Sequence, residues 1–138
     1  SRKKPRLITD LKHEVPAGTS GGVTMLGEAA AFLGAGFIAV VATILGIEDG
    51  VAALILLIWI VSAFLGEHAD SLLGATVQAV YYCPKCSKET ERRIHRCGTK
   101  GELRRGLPII NNEFVNFLST GSAAVIGFVL SVLVFGPY

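Results

Sequence analysis

The sequence predicts an all-α integral membrane protein, with three transmembrane helices and a small cytosolic zinc-knuckle loop. Three observations carry this reading. Hydrophobic residues make up 51% of the 138 residues, and they are gathered into long uncharged blocks at 29–47, 51–66 and 115–135. Each block approaches the ~20 residues a helix needs to cross ~30 Å of hydrocarbon. A soluble chain of this length has no interior that could bury three such helices. All thirteen Lys and Arg residues lie either before the first block or between the second and third. The third observation is a Cys/His-rich loop among the second group of basic residues.

The expected organisation is a single membrane domain. Residues 1–22 form a cytosolic Gly/Pro loop, 23–47 the first span, and 51–82 the second span with a cytosolic extension. Residues 83–112 form the Cys/His loop and 113–136 the third span. The positive-inside rule places the N-terminus and the Cys/His loop in the cytosol, and the Glu48-Asp49-Gly50 link, which has no basic residue, on the other side. That orientation accounts for the basic residues, so the lipid bilayer is the expected partner and nucleic acid is not. No cleavable signal segment is expected, because the first apolar block is too long and too late. The chain starts at Ser1 and is expected to be a piece of a longer protein.

Residues 1–22 carry Pro5, Pro16 and several glycines, which exclude a long regular element. Gly18, Thr19, Ser20, Gly21 and Gly22 form a glycine-rich loop leading into a helix. Such a loop can turn backbone N–H groups toward a phosphate, although its spacing matches neither the P-loop nor the dinucleotide fingerprint. A simple loop with a helix cap is the alternative. In the first span, Gly27, Ala31, Ala35, Ala39 and Thr43 recur every four residues, a spacing that lets a neighbouring helix approach closely. Glu28 lies just over one turn inside, either facing the bundle or reaching back to the interface.

In the second span, Glu67, Asp70, Ser71, Gly74 and Gln78 fall on one stripe of a helix. Two carboxylates one turn apart, beside a hydroxyl and a glycine, suit a divalent cation with a phosphate. The alternative is an ordinary interfacial polar face. Cys83, Cys86, His95 and Cys97 make a Cys3His set for a structural, tetrahedral zinc ion. Three cysteines on the reducing side of a membrane do not read as disulfides. Residues 90–96 and 101–105 are candidates for short strands of a small ribbon in this loop. Asn112 and Asn116 lie one turn apart at the start of the third span, either capping it or binding ligand. Ser119, Ala123, Gly127 and Ser131 give this helix its own small-residue stripe.

With this topology the loop 18–22, the stripe at 67–78 and the asparagines all fall at cytosolic ends of spans. A phosphate-cradling loop, a carboxylate pair and amide donors at one leaflet suit a reaction on a phosphorylated lipid. Glu67, Asp70 and Ser71 are the candidate catalytic residues. Gly18, Thr19, Ser20, Gly21, Gly22, Gly74, Asn112 and Asn116 are the candidate phosphate and nucleotide ligands.

Pro5-Arg6, the run Val15-Pro-Ala-Gly-Thr-Ser-Gly-Gly-Val23, the run Asp70-Ser-Leu-Leu-Gly-Ala-Thr-Val-Gln78, the Cys and His pairs, and residues 111–116 together resemble one family. It is the domain-of-unknown-function membrane family that includes plant phytyl-phosphate kinase of the vitamin E pathway and animal transmembrane protein nineteen. The resemblance covers nearly the whole chain and corresponds to the family's C-terminal half. It implies an isoprenoid-phosphate kinase, transferring phosphate from ATP or CTP with Mg2+ to a prenyl- or phytyl-type lipid monophosphate. Ser20 stands where the family pattern has Asn. Family members also carry an upstream membrane half with a further acidic motif, so activity is expected to need that half. A transporter or a structural membrane subunit without catalysis is the alternative function.

Overall fold

The computed structural model describes residues 4–46 and 52–136. The expected span ends at Ile47 and Val51, the Glu48-Asp49-Gly50 link, and Arg2 and Lys3 lie outside the described residues. The element order is β1 (Arg6–Leu7), β2 (Asp10–Glu14), β3 (Gly22–Val23), α1 (Met25–Gly46), α2 (Ala52–Thr76), β4 (Val80–Cys83), β5 (Lys88–Thr90), β6 (Glu102–Arg105) and α3 (Asn112–Phe135). Met25–Leu45, Leu54–Thr76 and Asn112–Phe135 are long and apolar enough to cross a membrane.

The all-α expectation is corrected here. Two three-stranded antiparallel sheets are present, ordered β2-β1-β3 and β5-β4-β6. The second helix also ends at Thr76, six residues before the expected limit of 82. The backbone N–H groups of Val77 and Gln78 both donate to the Leu73 carbonyl, at 3.0 and 3.1 Å. The chain then extends into Val-Tyr-Tyr-Cys, whose β-branched and aromatic side chains favour a pleated strand over a helix. Through Gly66, the helix is continuous.

The chain divides into two compact units. One comprises Thr24–Ala69 with Ser119–Tyr138; the other comprises Arg2–Val23 with Asp70–Leu118. The first is helical and apolar. Its entry is capped by Thr24, whose hydroxyl accepts the Gly27 N–H at 3.0 Å and so satisfies one donor of the first turn. Phe32 on α1 meets Phe64 on α2 edge-on, with ring centroids 6.0 Å apart. The geometry is that favoured by the ring quadrupoles.

Between α2 and α3 of this unit, small residues set the approach. A Cβ at Gly66 would lie 2.6 Å from the Ala123 Cβ and 3.1 Å from the Ser119 carbonyl oxygen, and one at Gly127 would lie 3.2 Å from the Ser62 hydroxyl. In lipid there is no hydrophobic gain from helix association, so such close backbone packing supplies much of the attraction. Ser62 is buried and returns its hydroxyl proton to the Ile58 carbonyl at 2.6 Å, leaving no unsatisfied donor in the contact. Large apolar side chains such as Leu33, Phe37, Ile44, Phe128 and Leu133 point outward, as they should where the solvent is hydrocarbon.

This packing generates a test. Gly66→Val should destabilise the protein by about 1–3 kcal/mol, the usual range for forcing extra atoms into a filled contact. Gly121→Ala, where a Cβ meets nothing within 4 Å, should not. Thermal unfolding in detergent distinguishes them; equal melting temperatures would refute the close-packed crossing.

Candidate phosphate cradle and metal centre

The second unit places the glycine-rich loop directly on the end of α2. Gly21 has a φ of 77°, a left-handed conformation that glycine adopts without penalty. A Cβ at Gly21 would lie 2.5 Å from the Ala75 backbone nitrogen, and one at Gly74 would lie 3.1 Å from the Gly21 nitrogen. Backbone therefore touches backbone: a side chain at Gly21 would overlap the helix, and one at Gly74 would press tightly on the loop.

Arg105, from β6, fastens this contact. Its guanidinium donates to the Gly74 carbonyl at 3.0 Å and the Ala75 carbonyl at 2.7 Å, and also to the Ser20 carbonyl at 3.0 Å. The first two are carbonyls of the last helical turn, which have no partner within the helix and favour a nearby positive charge. The third belongs to the loop.

The hydroxyls of the loop are engaged locally. Thr19 donates to the Pro16 carbonyl at 2.9 Å. Ser20 donates to a carboxylate oxygen of Glu91 at 2.5 Å and accepts from the buried Gln78 amide at 3.2 Å. Gln78, expected on the helical stripe, thus lies past the end of α2 and bridges to Leu107. Asp70, Ser71 and Gly74 remain on α2 within this unit, Asp70 and Ser71 half-buried and Gly74 buried. Glu67 belongs to the helical unit and sits beside His68 and Glu28.

Beside the loop is a cavity of about 770 Å³, lined by residues 16–20 together with Lys88, Glu89, Glu91, Arg92, His95, Arg96 and Arg105. Four of these side chains carry positive charge and two carry negative charge. Asn112 opens α3, while the cap of that helix is Asn111, whose side-chain Oδ1 accepts the Phe114 N–H at 2.8 Å. Asn116 is exposed.

The Cys/His loop brings its four expected ligands together. The ligand atoms of Cys83, Cys86, His95 and Cys97 all lie within 4.8 Å of one another and could hold a metal ion. The Cys83 and Cys97 sulfurs are 3.6 Å apart, close to the separation of two thiolates on a tetrahedral ion with bonds of about 2.3 Å. His95 Nδ1 is 3.1 Å from the Cys97 sulfur. The two turns that aim these groups both need left-handed backbone, supplied by Ser87 at φ 49° and Gly98 at φ 81°. Antiparallel pairing of β4 with β5, from Tyr81 opposite Thr90 to Cys83 opposite Lys88, holds the first turn.

The thiols differ in acidity. Cys97 is held down to about 5, first by the hydrogen bond with the Thr99 hydroxyl and then by that with His95. Cys86 is pushed up to about 11, chiefly by its hydrogen bond to Cys97. A set that already favours one thiolate is primed for a cation.

A protein-family model described as "Integral membrane protein DUF92" matches residues 1–124. The chain belongs to the DUF92 family. Among curated proteins, this DUF92 chain is similar to Protein PGR of Arabidopsis thaliana. The two are 29% identical over 143 residues, covering 98% of this chain and 48% of the relative. The DUF92 chain thus spans about half the length of that curated relative. No solved structure matches it.

Sequence reasoning assigned the basic residues of this DUF92 chain to membrane orientation alone. It missed that Arg105 closes α2 and that Lys88, Arg92 and Arg96 line the cavity beside the loop. It also missed Glu91 as the partner of Ser20. Their signal in the sequence was only a basic run within the Cys/His loop.

In metal-free protein, Cys97 should be the first thiol alkylated by iodoacetamide at about pH 6.5, because the thiolate is the reacting form. Its rate should fall steeply only as the pH drops through about 5, while Cys86 should react only at strongly alkaline pH. Thr99→Val should move the Cys97 profile to higher pH. Mass mapping of the labelled peptides reads all three results.

Proposed function

We propose that this protein is the membrane-embedded part of a lipid-phosphate kinase, transferring phosphate from ATP or CTP to a prenyl-type monophosphate at the cytosolic leaflet. The observation that carries the reading is the cavity between the loop 16–20 and the basic side chains of Lys88, Arg92, Arg96 and Arg105. Its size suits a nucleotide-scale ligand, and its charge suits phosphates. Phosphoryl transfer depends on positioning and on neutralising charge, and a basic cradle supplies the second of these.

In this reading Arg92 and Arg96 hold the donor's phosphates, with the loop backbone at residues 18–22 beside them. Asp70 holds the Mg2+ that accompanies the nucleotide, and Ser71 and Gly74 leave room for phosphate oxygens. Asn112 and Asn116 bind the lipid's head group. The basic loops face the cytosol, where the nucleotide is. The chain covers about half of its curated relative, so the complete protein is the proper test object.

Inside-out vesicles carrying the full-length protein should phosphorylate a prenyl monophosphate from externally added ATP or CTP; right-side-out vesicles should not. Asp70→Asn should cut turnover by orders of magnitude with little change in thermal stability. Arg96→Ala should chiefly raise the nucleotide KM. Normal turnover in Asp70→Asn, or no transfer with any prenyl monophosphate, would sink the proposal.

The Cys3His group is proposed to hold a structural zinc ion. Four protein ligands leave no open coordination position, so the ion would fix the loop that carries Arg92 and Arg96 and take no part in transfer. Purified protein should contain one zinc per chain, lost in Cys86→Ser. Zinc should also protect Cys97 from alkylation. Full metal content in that variant would exclude this ligand set.

A further inference from the structure

Within the helical unit, three titratable groups converge that the proposed reaction does not use as a set. Glu28 projects from α1, and Glu67 and His68 project from α2; their ligand atoms all lie within 4.8 Å of one another. All three residues fall inside segments apolar enough to cross a membrane. Ionisable residues in such segments are rare and mark sites, because hydrocarbon does not solvate charge.

The imidazole has a defined proton arrangement. His68 Nδ1 lies 2.9 Å from the Phe64 carbonyl oxygen. A carbonyl only accepts, so Nδ1 carries the hydrogen, and it also faces Glu67 at 3.1 Å. The ring is held in place by Phe64, whose centroid is 4.3 Å away. In the neutral ring, the lone pair of Nε2 is therefore the group facing Glu28, whose Oε2 is 3.4 Å away. That Oε2 is shielded from solvent and accepts no hydrogen bond.

A lone pair facing a carboxylate oxygen is repulsive unless a cation lies between them. The separation is long for a charged hydrogen bond, whose usual range is about 2.7–2.9 Å. It matches the roughly 3.4 Å between two ligands on a tetrahedral ion with bonds of about 2.1 Å. Charge balance points the same way. Two carboxylates and an imidazolium leave a net negative charge in an apolar segment, whereas two carboxylates, a neutral imidazole and a divalent cation sum to zero. The hydrogen bond from Nδ1 to a backbone carbonyl is the outer-shell arrangement that orients metal-binding histidines.

We infer that Glu28, Glu67 and His68 form a binding site for one divalent transition-metal cation in the membrane-spanning unit, separate from the Cys3His group. An imidazole with two carboxylates suits Mn2+, Fe2+ or Zn2+ better than Mg2+ or Ca2+, which prefer all-oxygen shells.

The test uses Mn2+ with the full-length protein in detergent and without nucleotide. Mn2+ is a poor partner for thiolates, so the Cys3His group does not compete. Electron paramagnetic resonance should show one bound Mn2+ per chain. Pulsed measurements on the unmodified protein should show coupling to an imidazole nitrogen, lost in His68→Ala. Glu28→Gln and His68→Ala should each weaken Mn2+ binding by about tenfold or more, and Asp70→Asn should leave it unchanged. Absence of bound Mn2+, or bound Mn2+ without nitrogen coupling, would overturn the inference. So would loss of binding in Asp70→Asn but not in Glu28→Gln, because the ion would then belong to the proposed phosphoryl-transfer residues.

Discussion

One guanidinium organises the polar half of this protein. Arg105 reaches two carbonyls of the last turn of α2 and one carbonyl of the glycine loop, joining three segments far apart in sequence. Hydrogen bonds from a charged donor contribute about 1.5–3 kcal/mol each when geometry is good, and here a half-buried position limits their screening by water. Gly21 and Gly74 make the contact possible by removing the side chains that would hold the backbones apart. The Ser20 hydroxyl, bonded to Gln78 and Glu91, ties the same loop to the Cys/His region. The cavity wall is therefore a fixed surface built from four sequence-distant pieces.

The helical unit solves a different problem. Its outer surface needs no polar group, and its contacts rely on fit. Gly66 against Ala123 and Gly127 against Ser62 bring α2 and α3 together where lipid would otherwise compete equally for apolar surface. Hydroxyls that would be orphaned there return to their own helix, as with Thr43 to Ala39 and Ser62 to Ile58. The Phe32, Phe64 and His68 rings lie in contact in that order, so the ionisable residues sit beside an aromatic layer.

Much of this was legible in the sequence, for identifiable reasons. The three spans announce themselves through length and the absence of charge, signals that do not depend on distant partners. The Cys3His group was legible because ligand spacing along the chain is set by the turns that hold it, here at Ser87 and Gly98. The ribbon strand expected at residues 101–105 appears as β6, whereas the one expected at residues 90–96 meets only the end of β5 and a single bridge at Ile94. The other strands were not legible. The strands are two to five residues long, and β1 is the middle strand between two later segments, β2 and β3. The second helix was overextended because Val80, Tyr81 and Tyr82 are apolar in either reading; only strand pairing decides for β4. Glu28 could be flagged as a carboxylate in an apolar segment, but its neighbour His68 could not, because nothing along the chain relates residue 28 to residue 68.

The pairing of β6 with β4 carries a constraint on chain length. Arg105 stands opposite Val80 and Leu103 opposite Tyr81, so Arg104 is an extra residue with no counterpart on β4. Such a bulge re-aims the side chains around it. Arg104 turns its guanidinium over the Tyr82 ring, 4.5 Å from the centroid, and Arg105 turns toward the helix end. Insertions and deletions here are more damaging than replacements. Losing one residue from this strand would restore a regular ladder and remove the local bend that aims Arg104 and Arg105. Relatives should accordingly tolerate changes of residue type in this strand more readily than changes in the number of residues.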